Sequence, residues 1–236
     1  MAEPGVMVIT GSRSGIGKAL ARHYCQLGYQ VVGCSRQKSD LDIPNYHHHQ
    51  LDVADEAAVS ALFSWIRKTL GRLDVLINNA GQIAVNNILL TPLSQAQEVM
   101  RTNFIGTFLC CREAVKVMMK TRRGRIINLT SIAVPLAQPG TGIYSSSKAA
   151  VEQFTKVLAA EVEPMGIKVN ALGLSMVAQS GMALAMSSQA AQAAVDLTKL
   201  KRWLSMDEVC KAMDEMLDEK NSATGKTIYL GEVETK

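Results

Sequence analysis

The chain opens on a glycine-rich turn between two regular elements. Val6 to Thr10 is a short apolar run, Gly11-Ser12-Arg13-Ser14-Gly15-Ile16-Gly17 follows directly, and a helical pattern then runs from Lys18 to Leu27, closed by Gly28. Gln30 to Cys34 is the next apolar run. Strand, glycine turn, helix and strand in about 30 residues make a βαβ unit. Glycine suits the junction because the chain must turn tightly and let a ligand approach its backbone. The helix N-terminus adds free N–H groups and the positive end of its dipole. The spacing is G-x-x-x-G-x-G and differs from the commoner G-x-G-x-x-G, so reading it as a dinucleotide's phosphate cradle rests on its place at the first strand–helix junction. A merely structural tight turn is the competing reading.

The alternation continues along the chain. The pattern predicts a helix over Ala54 to Leu70, a strand over Leu73 to Asn78, and one or two helical segments between Ser94 and Met119. A strand follows at Arg125 to Leu129, then a helix at Tyr144 to Glu161 that exits through Pro164-Met165-Gly166, then a strand at Lys168 to Leu172. Ser205 to Leu217 reads as a helix, with Ser205 and Glu208 spaced as a capping box, and Thr227 to Leu230 as a last strand. Gln50-Leu51-Asp52-Val53, just past His47-His48-His49, also has strand character. Near-continuous apolar strands separated by helices imply an α/β, doubly wound parallel sheet covered on both faces. No linker, repeat or composition break divides residues 1–236, so one domain is expected.

Composition excludes several functions. With 47% hydrophobic and 19% charged residues over 236 positions, the chain can bury a full core. Lys and Arg exceed Asp and Glu by 25 − 21 = +4 and aromatics make up 5%, short of the basic stripe or stacking platform of a nucleic-acid binder. No apolar stretch reaches the roughly 18 residues of a membrane span, and no basic-then-apolar leader precedes Val6. The expectation is a soluble, cytoplasmic protein with neither nucleic acid nor membrane as partner. Five cysteines without a CxxC pair read as reduced, buried thiols. Adjacent residues of an extended strand cannot all point at one ion, so no metal site is expected at His47-His48-His49.

Cofactor choice is legible after the second strand. A carboxylate there would bond the ribose 2′-hydroxyl of NAD; this chain instead has Cys34-Ser35-Arg36, with no acid until Asp40. Arg36 could pair with a 2′-phosphate, Ser35 could donate to it, and Arg13 could add a second positive charge, which favours NADP(H). A solvated arginine at a strand end is the alternative.

Taken together, the glycine loop, Asp52, Asn78-Asn79-Ala80-Gly81, Asn103, Ser131 and Tyr144-x-x-x-Lys148 resemble the short-chain dehydrogenase/reductase family over essentially the whole chain. The likeness is greatest to 3-oxoacyl-[acyl-carrier-protein] reductases and related ketoreductases, and includes Met118-Met119-Lys120 and the run Arg122 to Ile127. The resemblance implies a Rossmann-type sheet in which Gly11, Ser12, Arg13, Gly15, Ile16, Gly17, Ser35, Arg36, Asp52, Val53, Asn79, Ala80, Gly81 and Val177 bind the cofactor. Asp52 would bond the adenine amino group, and backbone near Val177 the nicotinamide carboxamide.

Tyr144 and Lys148 lie four apart, on one helical face. A free tyrosine, with a pKa near 10, is a poor base at neutral pH, but an ammonium and an oxidised nicotinamide both stabilise phenolate. Tyr144 would then donate a proton to a carbonyl during reduction, while Ser131 hydrogen-bonds the same oxygen. The resemblance gives Lys148 a second task on the nicotinamide ribose, and Asn103 the task of positioning a water that leads protons to solvent. The absence of a G-x-S-x-G elbow argues against a nucleophile among Ser145, Ser146 and Ser147.

One turn departs from the family. Leu174-Ser175 stand where Pro-Gly is usual and Gln179 where threonine is, so Gly173 is expected to shift the flexible point and Ser180 to replace the hydroxyl. Residues 176–198 would cover the substrate, with Met182, Leu184 and Met186 as an adaptable lining. Glu232-Val233 replace a frequent Asp-Gly-Gly. Surplus apolar positions at Phe104, Phe108, Leu109, Val115, Phe154 and Val157 predict a homodimer at least, and the resemblance implies a homotetramer formed by joining two dimers through the last strand. The expected activity is NADPH-dependent reduction of a small ketone or thioester-linked 3-oxoacyl group. An NAD(P)-dependent alcohol, steroid or sugar dehydrogenase and a non-catalytic nucleotide-binding protein are the alternatives.

Overall fold

The computed structural model describes residues 5–178, 180, 192, 195–196 and 198–231. Within them seven strands form one parallel sheet: β1 (Val6–Thr10), β2 (Gln30–Ser35), β3 (Tyr46–Gln50), β4 (Val75–Asn78), β5 (Gly124–Ser131), β6 (Ile167–Leu174) and β7 (Thr227–Leu230), ordered β3-β2-β1-β4-β5-β6-β7. The helices are α1 (Gly15–Gln26), α2 (Glu56–Thr69), α3 (Leu93–Met100), α4 (Gly106–Met118), α5 (Ala133–Leu136), α6 (Gly142–Val162) and α7 (Met206–Leu217). Successive strands are added outward on one side of β1 as far as β3 and on the other side from β4 to β7, so the strand order reverses between β1 and β4. A crevice opens there at the strands' carboxyl ends.

The period-two alternation of the strands divides the apolar residues between two cores. Val8, Val32, Leu76, Ile126 and Val169 face α2, α4 and α6, among Phe63, Ile66, Cys110 and Leu158. Their neighbours Met7, Ile9, Val31, Ile77 and Ile127 face α1 and α7, among Leu20, Tyr24, Val209 and Met213. Each such side chain contributes roughly 1.5–3 kcal/mol by leaving water. All five cysteines are free thiols, four of them buried. Among the described residues no helix is long and apolar enough to cross a membrane.

Several boundaries differ from the sequence pattern. The third strand is Tyr46–Gln50, so the histidines lie inside it and Leu51-Asp52-Val53 beyond it; pairing with Val31 to Ser35 decides this. His47 and His49 pack on Trp65 at 5.8 and 4.5 Å, while His48 sits 3.0 Å from the Tyr46 hydroxyl, which splits the run between two environments. β5 and β6 each run two residues past their apolar cores, because Thr130, Ser131, Gly173 and Leu174 continue the ladder. The segment Ser94 to Met119 resolves into α3, a π-helical turn at Arg101–Ile105, and α4. The capping box of Ser205 and Glu208 forms as spaced.

Candidate functional site

A cleft of about 820 Å³ occupies the crevice, lined from Gly11 and Arg13 at one end to Ser131, Tyr144 and Lys148 at the other. The glycine loop is held from behind. Thr10 Oγ1 accepts from the backbone N–H of Asn79 (3.0 Å) and Ala80 (2.9 Å), and Asn79 Nδ2 donates to the carbonyls of Thr10 (2.8 Å) and Gly11 (3.2 Å). Gly11 and Gly15 adopt positive φ, +70° and +54°, where a side chain would be strained. A Cβ on Gly17 would lie 2.4 Å from Gly11 O, so no other residue lets the helix start so close to the strand. Gly11, Arg13, Gly15 and Ile16 line the cleft. Ser12 does not: it is buried, with Oγ 2.8 Å from the Tyr46 hydroxyl, and shapes the loop from inside as Gly17 does.

At the outer end stand Ser35, Arg36, Asp52 and Val53. The Ser35 hydroxyl donates to Gln37 O at 2.6 Å and lies 3.2 Å from His48 Nε2, so it is already engaged. The Arg36 side chain is 63% exposed, with Nη1 3.9 Å from Glu98 Oε1. Arg101, which the sequence did not single out, bonds Glu98 through Nε (3.0 Å) and Asp52 through Nη2. Burial raises the pKa of Asp52, but the N–H of Ala54 and the Arg101 guanidinium outweigh it and hold the carboxyl below its ordinary value. The pair with Glu98 is an ordinary i,i+3 surface contact, and the bond to Asp52, 49 residues away, leaves no local signal that could have placed Arg101 at the site.

The inner end is formed by buried side chains. Ser131, Tyr144 and Lys148 are 8%, 3% and 6% exposed, and all line the cleft. Burial pushes the Tyr144 phenol up to about 12, against a lowering hydrogen bond with Ser131. Burial also brings the Lys148 ammonium down to about 8, with the Glu152 carboxylate acting the other way. Lys148 Nζ donates to Leu129 O at 2.9 Å. Asn103 stands on the π-helical turn, a geometry frequent at functional sites, on the other side of Gly81 from the lysine. Gly81 separates the two: a Cβ there would sit 3.2 Å from Asn103 Oδ1 and 3.4 Å from Lys148 Nζ. The Asn103 side chain is committed, accepting from Gln82 N (2.8 Å) and donating to Gln82 O (2.9 Å) and Ser147 Oγ (2.9 Å). It clamps the loop after β4 onto α6, and Ser147, dismissed as a nucleophile, is its anchor.

The departed turn is unstrained. Leu174 ends β6, Ser175 N donates to Leu230 O at 3.2 Å, and neither residue has positive φ. A Cβ on Gly231 would meet Ser175 Cβ at 2.7 Å, so that glycine makes room for the serine. Gly173 is not a relocated hinge. It is a strand residue whose missing side chain admits the Tyr229 ring, since a Cβ there would lie 2.2 Å from Tyr229 Cδ1. Val177 lines the cleft and forms a parallel bridge with Leu204. Ser180 is buried and also lines the cleft. Gln179, Met182, Leu184, Met186, Glu232 and Val233 lie outside the described residues.

Comparison with known proteins gives a consistent result. The family model for short chain dehydrogenases matches residues 5–192. A 3-ketodihydrosphingosine reductase of Bacteroides thetaiotaomicron is 38% identical over 167 residues, 71% of this chain and 62% of the relative. The 3-oxoacyl-[acyl-carrier-protein] reductase FabG of Aquifex aeolicus is 30% identical over 236 residues, covering 95% of each. Among solved structures, ElxO with NADP bound superposes with a TM-score of 0.88 at 29% identity over 97% of both chains. A tyrosine-to-phenylalanine variant of ElxO with NADPH bound also gives 0.88.

Proposed function

This chain belongs to the short-chain dehydrogenase family and is an NADP-dependent oxidoreductase; from that premise we propose that it reduces a ketone or thioester-linked 3-oxoacyl group to the secondary alcohol. The observation that carries the reading is the buried set of Ser131, hydrogen-bonded Tyr144 and Lys148 on the inner wall of a cleft whose outer end carries Arg13 and Arg36. The residues fit the cofactor: the Gly11 and Gly15 backbone would cradle its phosphates, Arg13 and Arg36 its 2′-phosphate, and Asp52 its adenine. Lys148 would hold the nicotinamide ribose, and the backbone around Val177 the carboxamide. When bound, NADPH supplies the hydride. Tyr144 donates its proton to the carbonyl oxygen, Ser131 hydrogen-bonds that oxygen as charge develops, and the Lys148 ammonium stabilises the phenolate left behind. Asn103 keeps the neighbouring loop in register.

Turnover tests this reading. Purified protein with NADPH and a panel of ketones, including a 3-oxoacyl thioester, should consume cofactor with one alcohol formed per NADPH. Activity confined to alcohol, steroid or sugar oxidation would favour the dehydrogenase alternative, and NADPH binding without turnover the non-catalytic one. The 3-oxoacyl class is supported by the FabG relatives and a cytoplasmic setting by the free thiols.

The same reading extends to assembly. Leu109 is buried within the subunit, and Val115 and Phe154 pack on its core, but Ile105, Phe108 and Val157 remain 40%, 36% and 47% exposed. These three on the π-helical turn, α4 and α6 support a two-fold pairing of those helices. β7, at the edge of the sheet, offers a second contact for a tetramer. Light scattering at micromolar concentration should return at least twice the monomer mass; 25.5 kDa, unchanged on concentration, would exclude both assemblies.

A further inference from the structure

We propose that Glu152 is a positioning residue for ketone reduction, its buried carboxylate governing how firmly Lys148 holds its proton. The inference rests on the ketoreductase reading. Glu152 lies one helical turn beyond Lys148 on α6 and is 9% exposed. Two strands present hydroxyls to it: Thr130 Oγ1 donates to Oε1 at 2.6 Å and the Tyr229 hydroxyl to Oε2 at 2.8 Å. The Tyr229 ring reaches this place through the gap left by Gly173. Three separated residues, at 130, 173 and 229, thus converge to seat one carboxylate behind the wall of the cleft. A buried carboxylate is costly unless it is hydrogen-bonded and opposed by positive charge, and the buried cation one helical turn before it is Lys148.

The surroundings leave few other titrating groups. Among the described residues, Lys148, Tyr144, the solvent-exposed Lys156 and Glu161 share its helix, and Tyr229 comes from β7. β5 contributes the uncharged Thr130 and Ser131, β6 contributes Gly173, and the π-helical turn the uncharged Asn103. Burial brings Lys148 to about 8 even with the carboxylate in place. The sign follows. Below that pH the ammonium is present and can stabilise the Tyr144 phenolate; above it the charge is lost and kcat/KM for reduction falls. Without the carboxylate the ammonium gives up its proton sooner, so the alkaline limb must move to lower pH.

The test is the pH profile of kcat/KM with NADPH and a ketone the parent reduces. Glu152→Gln should move the alkaline limb down by about one pH unit, the order expected for unit charges a helical turn apart, with little change two units below it. Glu152→Asp keeps the charge and should hold the limb near its parent position. Tyr229→Phe keeps the ring but strips one donor from the carboxylate, leaving its field less compensated, and should move the limb up by a few tenths. An unmoved limb in Glu152→Gln, with activity lowered evenly at all pH, overturns the proposal. If that variant does not fold, a Tyr229→Phe limb that stays or moves down overturns it. Absence of turnover in the parent would instead defeat the ketoreductase reading. The Lys148 ammonium is then titrated directly by NMR in parent and Glu152→Gln, where the same downward shift is expected and its absence overturns the proposal.

Discussion

At its outer end the cleft carries charge in water. Arg36 is 63% exposed in its side chain, and Glu98, Arg101 and Asp52 form a chain of pairs around it with 26–44% of each side chain open to solvent. At its inner end Lys148 is 6% exposed, and the buried carboxylate nearest along its helix among the described residues is Glu152. Solvent and salt screen the first arrangement, so a change of one partner there is shared among the rest. Little screens the second, and a single proton or hydroxyl decides its chemistry. The outer end therefore selects a ligand by increments, while the inner end switches a reaction on or off. Variants at the two ends should differ in size and in salt dependence.

The largest effect is expected at the inner end. Tyr144→Phe removes one hydroxyl from a buried ring and leaves the cleft's shape intact. Turnover should fall about a hundredfold or more, the loss typical of a positioned proton donor, with NADPH binding retained. Stopped-flow reduction and fluorescence titration of NADPH separate the two quantities. Near-parental turnover would move the proton donor elsewhere and erase the contrast between the ends.

An intermediate effect belongs to Arg36. Losing one charge-assisted contact is worth roughly 1.5–3 kcal/mol, so Arg36→Ala should weaken NADPH binding about tenfold or more while leaving NADH nearly unchanged. Because the guanidinium is exposed, the difference should shrink as salt is raised toward 1 M. Equal dissociation constants for both cofactors in the parent would show that the outer end does not discriminate. A difference indifferent to salt would show that bound cofactor buries the charge.

The same contrast governs what the sequence made legible. The doubly wound sheet follows from alternating apolar runs and the glycine loop, because both signals are local and periodic. The tyrosine–lysine spacing likewise states its own geometry, since residues four apart on a helix share a face. The polar scaffolding behind the site was not legible. The seat of Glu152 depends on hydroxyls 22 residues before it and 77 after it. Asn79 bonds a loop 68 and 69 residues away, and Asn103 clamps Gln82 by a side chain with no periodic signature. Gly173 misled for a related reason: a glycine beside a missing Pro-Gly suggests a hinge, whereas its use as clearance for Tyr229 exists only once β6 and β7 pair. The third strand was misplaced because histidines are poor strand signals, and pairing with β2 overrode that local preference.

The smallest effect tests whether Glu98 helps or hinders the outer end. Its carboxylate stands 3.9 Å from Arg36 and also bonds Arg101, so it lowers the positive potential that a 2′-phosphate would meet. If it only opposes binding, Glu98→Gln should tighten NADPH by about two- to threefold at low salt, in line with exposed ion pairs, and leave NADH unchanged. Arg101 keeps its bond to Asp52 in that variant, so the adenine side need not move. Raising ionic strength toward 1 M should abolish the gain, because the Debye length then falls to about 3 Å, shorter than the 3.9 Å between these exposed charges. Weaker NADPH binding would reverse the assignment: Glu98 would then be holding Arg36 in its productive direction, and the outer end would depend on orientation, as the inner end does.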